Sequence, residues 1–345
     1  MVFYKIKNKI DAELSRFLVC IEKTYRLKKI SPLLYGSIRD FVLRKGKRIR
    51  PILFLTGYLG YSDKPAPNIY TSALAIELLH DFMLVHDDII DKSATRRGKL
   101  AMHTLLNKKI RKNKDIKFSG EDLAIITGDV MYAMAIEAFL AVKEEPLRKE
   151  KALRNFIKAA VHTGCGEFVE LLAGTKNIDK ISQAEILKIY DYKTGQYTFS
   201  TPLSSGAILA GASSEEINKL SRLGIYLGRA FQIKDDLLGM FAEERKIGKP
   251  TISDLQEAKK TLLIWHCYKN AGGKDKKIIK KILSKKKVEK KDLLGMRKIM
   301  QESGSVDYAN KKIKDLVRSA EKISSSLKIK PLFKKFLKEY PQKLL

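Results

Sequence analysis

Five aspartates in two short runs have the types and spacing to hold a metal ion. In Asp87-Asp88-Ile89-Ile90-Asp91, Asp87 and Asp91 are four apart and share one helix face, with Asp88 beside them. Carboxylates this close repel one another unless a cation lies between them. Hard oxygen donors suit Mg²⁺, which keeps several waters and draws its other ligands from a substrate phosphate. An exposed acidic helix end is the plainer alternative. It fits poorly with the apolar Leu84-Val85 just before the run and with a chain of formal net charge +29. The second run, Asp235-Asp236, lies in FQIKDDLLGMF, again in an apolar helical frame, with Gln232 one turn earlier on the same side. Two such helices are expected to face each other across a metal-filled cleft, as the carboxylate helices of bundle proteins do.

Cations complete the set. Lys47 and Arg50 open a helix in Gly46-Lys47-Arg48-Ile49-Arg50-Pro51, Arg96 and Arg97 follow the first acidic run, Lys193-Thr194 lies in YKTGQY, and Lys249 in GKPT. Arg offers a planar fork and Lys a mobile point charge, a mixture suited to diphosphate. Singly, each reads as a surface cation. Beside two acidic runs, they describe a site for two diphosphates, one held through metal and one through cations. No nucleophile and base are paired anywhere in the chain.

The elements that must position these groups are helices. IYTSALAIELLHDFMLVHDDIID and LAIITGDVMYAMAIEAFLAV repeat apolar residues three and four apart over more length than strands reach. Breaks fall at Lys45-Gly46, in the polar turn SATRRGK (93–99), in GASSEE (211–216), where Ser213 or Ser214 could cap the next helix, and at Gly272-Gly273. Residues 1–30 read as one helix. No alternating strand runs, repeats or linkers are evident, so one all-α domain spanning 1–345 is expected, with the basic helices of 270–345 part of it.

Composition narrows the function classes. Hydrophobic residues make up 44%, enough for a sizeable core. The most apolar stretch, Leu123 to Val142, carries Asp129 and Glu137 inside it and reads as a buried helix rather than a membrane span. Lys5, Lys7 and Lys9 interrupt the N-terminus before a signal-peptide core can form, which makes cytoplasm the expectation. Cys20, Cys165 and Cys267 form no CxxC pair, and the five histidines form no HExxH-like pair. The positive charge calls for acidic partners. Its densest run, 274–291, has no interleaved aromatics and no recognition signature, so it reads as a solvated helix face rather than a nucleic-acid site.

Taken in order, KGKRIRP, ELLHDFMLVHDDIIDKSATRRGKLAMH, TGDVMYAMA, YKTGQY and FQIKDDLLGMFAEERKIGKPTISDLQEAKKTL resemble the signature blocks of trans-isoprenyl diphosphate synthases, and SGSVDYANKKIKDLV is similar to that family's C-terminal segment. The resemblance spans about residues 40–325. It implies a single large helical bundle of the isoprenoid synthase type with a central active-site cleft. The implied reaction is head-to-tail condensation of isopentenyl diphosphate with allylic diphosphates (dimethylallyl, geranyl, farnesyl), in a homodimer without a transmembrane segment. By the same resemblance, Asp87 and Asp91 coordinate two Mg²⁺ on the allylic diphosphate with Asp88 in support, and Asp235 holds a third, with Asp236 nearby. Arg96, Lys193, Thr194, Gln232 and Lys249 then contact the allylic diphosphate, and Lys47, Arg50, His80 and Arg97 bind isopentenyl diphosphate. His80 lies seven residues before Asp87, on the same helix face.

Chain length is assigned to Phe82 and Met83, five and four residues before Asp87, with Met131 and Tyr132 as the next candidates. A bulky residue at Phe82 resembles short-chain enzymes and points to geranylgeranyl diphosphate, with farnesyl or longer products as alternatives. Some family features are altered: Gly239 stands in place of a frequent third Asp, Lys45, Ser253 and Ala258 in place of glycines, and Glu167 in place of Gln. Terpene cyclases are disfavoured because no Asn/Asp-Ser-Glu triad is evident and the KGKRIRP block argues for a second diphosphate site, and head-to-head synthases because their DxxxD-type motif blocks differ from these. A non-catalytic subunit of a heteromeric synthase is disfavoured because both acidic runs are intact.

Overall fold

A computed structural model describes residues 2–111, 115–242 and 252–344. Helices dominate it. The chain divides into two compact units, Met1–Leu153 with Ser205–Gly211, and Arg154–Ser204 with Ala212–Leu345.

In the first unit the helices are α1 (Val2–Tyr25), α2 (Leu27–Ile30), α3 (Pro32–Val42), α4 (Ile49–Tyr61), α5 (Ile69–Ile90), α6 (Met102–Ile110) and α7 (Gly120–Leu140). The single helix expected over 1–30 is broken at Arg26, which adopts a left-handed conformation (φ 52). No glycine marks this break, so the sequence gives no sign of it. α5 is the axis of the unit. From Ser72 to Leu79 it is buried all round, and α1, α4 and α7 pack against it. α7 starts on a capping box, with Ser119 and Asp122 bonding reciprocally, and buries Thr127, Met131, Met134 and Phe139. It is long and apolar enough to cross a membrane, and it leaves Ile125, Ile126 and Leu140 exposed. Its Asp129 and Glu137 lie on that exposed side.

α5 ends in a Schellman motif. Lys92 takes the left-handed position (φ 52), its N–H bonds Ile89 O, and the Ser93 N–H bonds Asp88 O at 2.9 Å. The chain then forms the one sheet among the described residues, β1 (Thr95–Arg96) and β2 (Lys99–Leu100), an antiparallel hairpin not foreseen in the sequence. Arg97 (φ 55) and Gly98 (φ 73) form its two-residue turn, the mirror-image geometry that matches strand twist.

The second unit is built on α11 (Ser214–Phe241), capped by Ser213, whose Oγ accepts from the Glu216 N–H. Most of α8 (Pro146–Thr175) lies in this unit, as does α9 (Gln183–Tyr190), followed by a π-helical segment, Asp191–Ser200. α11 lies against that segment at backbone distance. A methyl group at Gly224 would overlap Ser200, and one at Gly228 would overlap Gly195. Gly224, Gly228, Gln232 and Asp236 are spaced by four, so the close approach also carries Gln232 and Asp236 to the π segment. Farther on, Gly272 caps the helix Gly273–Leu283 and Gly273 is its first residue, so only the first glycine of the expected loop lies outside a helix. That helix buries Ile279 and Ile282 and exposes lysines on its other face.

Candidate active site

The two acidic runs share a local design. Asp87 and Asp91 project from the last turn of α5, where the helix's unsatisfied carbonyls already concentrate negative charge. Acidic groups there are unfavourable by about 0.3–1 kcal/mol each without a cation, which favours a metal partner. Asp88 is different. It is fully buried, and its Oδ1 accepts from Arg96 Nε at 2.8 Å and also from Nη2. Burial pushes its carboxyl above the ordinary range, while the Arg96 guanidinium pulls the other way.

In the second run Asp235 is exposed and Asp236 is buried. Asp236 accepts from the Tyr190 hydroxyl and from Gln232 Nε2 at 3.0 Å. Gln232 Oε1 in turn accepts from Thr194 Oγ1 at 2.6 Å. Tyr190 is held by the Leu262 N–H, which donates to its hydroxyl oxygen at 2.8 Å. Burial, and next the charge of Asp236, push the Tyr190 phenol well above its usual pKa, so it remains a donor. Lys193, one residue before Thr194 in the π segment, lies between Glu167 (2.7 Å) and Glu170. π geometry recurs at functional sites, and here the ten-residue segment carries Lys193 to Glu167 and Glu170 and Thr194 to Gln232.

The cations assigned to a second diphosphate divide by partner. Arg48, to which the family resemblance gives no diphosphate role beside Lys47 and Arg50, is structural. Its left-handed backbone (φ 53) turns it inward, where it bonds Asp11 (2.9 Å), Glu77 (2.7 Å) and the carbonyls of Val42 and Arg44. Lys47 is exposed and Arg50 half-buried. Arg97 lies 3.0 Å from Asp81 and 3.9 Å from Glu77. His80 is held neutral: burial, then the charges of Arg50, Arg97, Arg96 and Arg48, push its pKa well below the usual value. The structure therefore groups Arg50, His80, Arg96 and Arg97.

Several supporting residues were missed in the sequence. Arg44 donates to the Arg96 carbonyl at 3.2 Å, and Asp40 bonds both Arg44 and Lys99, tying down the hairpin. Glu77, Asp81 and Tyr190 are the others. Glu77 and Asp81 had a signal, since acids four apart in an apolar helix must have buried partners. Of the chain-length candidates, Met83 is half-buried and Met131 fully buried, while Phe82 packs against Tyr132 (5.2 Å between ring centroids) and His86 (4.6 Å). Lys249 lies outside the described residues.

Among the described residues no three His, Cys, Asp or Glu side chains form a metal cage by themselves. Mg²⁺ takes one or two carboxylates and completes its shell with water and phosphate. Half-exposed Asp87 and Asp91 at the end of α5 and exposed Asp235 on α11 are hard oxygen donors that fit that ion.

Comparison with known proteins places this arrangement. The polyprenyl synthetase model matches residues 31–300. This chain belongs to the polyprenyl synthetase family. Geranylgeranyl diphosphate synthase of Sulfolobus acidocaldarius is 33% identical over 317 residues, covering 90% of each chain. Geranylfarnesyl diphosphate synthase of Aeropyrum pernix is 32% identical over 298 residues, 85% of this chain and 87% of its own. The crystal structure of geranylgeranyl pyrophosphate synthetase from Pyrococcus horikoshii superposes with a TM-score of 0.82 at 32% identity, covering 99% of this chain and 97% of that one. A Corynebacterium glutamicum geranylgeranyl pyrophosphate synthase, complexed with isoprenyl diphosphate and magnesium, shares the all-α fold at TM-score 0.86 and 24% identity, over 99% and 98% of the two chains.

Proposed function

We propose that this family member condenses isopentenyl diphosphate head to tail with allylic diphosphates, with geranylgeranyl diphosphate as its main product. The chain is a trans-prenyl transferase. The observation that supports the site assignment is the repeated burial pattern of the acidic pairs, in which the leading aspartate is the more exposed and the following one is buried and held by neighbours.

In this reading Asp87 and Asp91 hold two Mg²⁺ and Asp235 a third, with Asp88 and Asp236 as positioning residues. When bound, the metal neutralises charge building on the departing diphosphate. The allylic C–O bond breaks and its electron pair leaves with diphosphate. The double bond of isopentenyl diphosphate attacks the resulting allylic cation, and the adduct loses a proton to the released diphosphate. Arg96 spends only two of its five N–H donors on Asp88, which leaves an edge for the allylic diphosphate. Lys193, Thr194, Gln232 and Lys249 serve the same ligand. Lys47, Arg50, Arg97 and neutral His80 bind isopentenyl diphosphate. Phe82, braced by Tyr132, limits the chain.

A homodimer belongs to this reading. Ile157, Val161, Phe168 and Leu172 form an exposed apolar stripe on α8 at spacings of four and seven, a pattern that self-association would cover. A cytoplasmic location is supported by three free cysteines. The test is incubation with isopentenyl diphosphate, Mg²⁺ and each allylic starter, followed by chromatography of the dephosphorylated products. Geranylgeraniol should dominate. No elongation of any starter would refute the proposal.

A further inference from the structure

Asp81 is a buried carboxylate that the reaction above leaves without a task. Its side chain is 0% exposed, inside the most apolar stretch of α5. Arg97 Nη1 lies 3.0 Å from its Oδ1, yet neither carboxylate oxygen makes an aligned hydrogen bond among the described residues, and that Arg97 nitrogen makes none either. A buried charge so poorly satisfied is destabilising unless something nearby needs it.

What needs it is the cation group around it. On α5 itself Glu77 and His80 flank Asp81, and Glu77 is engaged by Arg48. Arg48 comes from the entry to α4, with Asp11 of α1 on its Nε. Arg50 comes from α4, and the hairpin brings Arg97 as well as Arg96, which is already paired to Asp88. Asp40 of α3 and Arg44 just past its end hold the hairpin. Asp129 of α7 lies beside His86 instead, 3.6 Å away. Arg97 is the cation whose negative partner, Asp81, a diphosphate would replace, and Arg50 adds its charge beside His80.

We infer that Asp81 is the counter-charge for this cation group while no diphosphate is bound, and that isopentenyl diphosphate takes over that role, so that its binding is coupled to uptake of a proton by Asp81. The inference rests on the assignment of Arg50 and Arg97 to isopentenyl diphosphate. Burial raises the Asp81 carboxyl to about 7, with Arg97 pulling it down and Glu77 pushing it up, so both forms are accessible near neutrality. A second anion beside it favours the protonated form further. The balance is simple: one carboxylate and one proton from solvent become one carboxylic acid. Because the complex binds the extra proton, affinity is level below about pH 7 and falls above it, by at most about tenfold per unit.

The test is calorimetric titration of isopentenyl diphosphate into the full chain at about pH 7.5, in two buffers of different protonation heat. Wild type should take up protons, Asp81→Asn should take up fewer, and Asp81→Glu should restore the uptake. In steady state, Asp81→Asn should flatten the rise of KM for isopentenyl diphosphate with pH while changing kcat less. No uptake by wild type overturns the inference even if Asp81→Asn fails to fold. Equal uptake by wild type and Asp81→Asn, or affinity that rises with pH, overturns it as well. Arg97→Gln separates the two levels. An unchanged KM for isopentenyl diphosphate in that variant removes the site assignment itself. A raised KM together with a wild-type pH profile in Asp81→Asn removes only the proton coupling.

Discussion

Asp87-Asp88 and Asp235-Asp236 look alike in sequence but are anchored by opposite means. Asp88 is held by a charge, the Arg96 guanidinium, delivered by a hairpin eight residues on. Asp236 is held by neutral donors, the Tyr190 hydroxyl from the end of α9 and the Gln232 amide one turn earlier on α11 itself. In both pairs the leading aspartate is the more exposed and the following one is buried. In the proposed reading an acidic pair is one ligand and one internal strut, and the group that holds the strut can be charged or neutral. Removing the charged anchor leaves Asp88 a buried carboxylate without its counter-charge. Removing the Tyr190 hydroxyl leaves Asp236 the Gln232 amide.

The largest expected effect falls on the open members. Asp87→Asn and Asp235→Asn should each lower kcat by at least ~100-fold, about 2.7 kcal/mol of transition-state stabilisation, measured in the steady state with saturating Mg²⁺. Near wild-type turnover in either variant would remove the parallel between the two runs.

The anchors should differ in stability. Arg96→Ala leaves the fully buried Asp88 carboxylate without its guanidinium and should lower unfolding free energy by about 3–5 kcal/mol. Tyr190→Phe removes one neutral donor and should lower it by about 1–3 kcal/mol. Urea melts of both variants test this, and equal losses would erase the distinction between charged and neutral struts.

Smaller effects should sort the diphosphates. Arg50→Ala or Lys47→Ala should raise KM for isopentenyl diphosphate more than KM for the allylic substrate, and Lys249→Ala should do the reverse. Smallest in rate, Phe82→Ala should leave turnover within a few-fold while shifting product to longer chains, because the ring against Tyr132 is lost. Unchanged products from an active variant would place the limit elsewhere.

The open carboxylates were legible because charge inside an apolar helical frame has few explanations. Their struts were not. Pairing Asp88 with Arg96 requires a hairpin whose turn puts Arg97 at positive φ, and Arg-Gly is a far weaker hairpin signal than Asn-Gly. KGKRIRP carries four cations, and the inward turn at Arg48 makes it the structural one beside Lys47 and Arg50. The π segment was equally hidden, since helical periodicity does not distinguish a widened turn. The helices themselves followed from apolar spacing, except at Arg26, where a left-handed residue other than glycine breaks the chain.

The most direct test of the two-part design is the Mg²⁺ dependence of activity in wild type, Asp87→Asn and Asp88→Asn. If Asp87 is a ligand and Asp88 a strut, Asp87→Asn should lose activity or need far more Mg²⁺. Asp88→Asn, measured where it is still folded, should keep the wild-type Mg²⁺ midpoint while melting earlier. A shifted Mg²⁺ midpoint in Asp88→Asn with an unshifted one in Asp87→Asn would contradict the account.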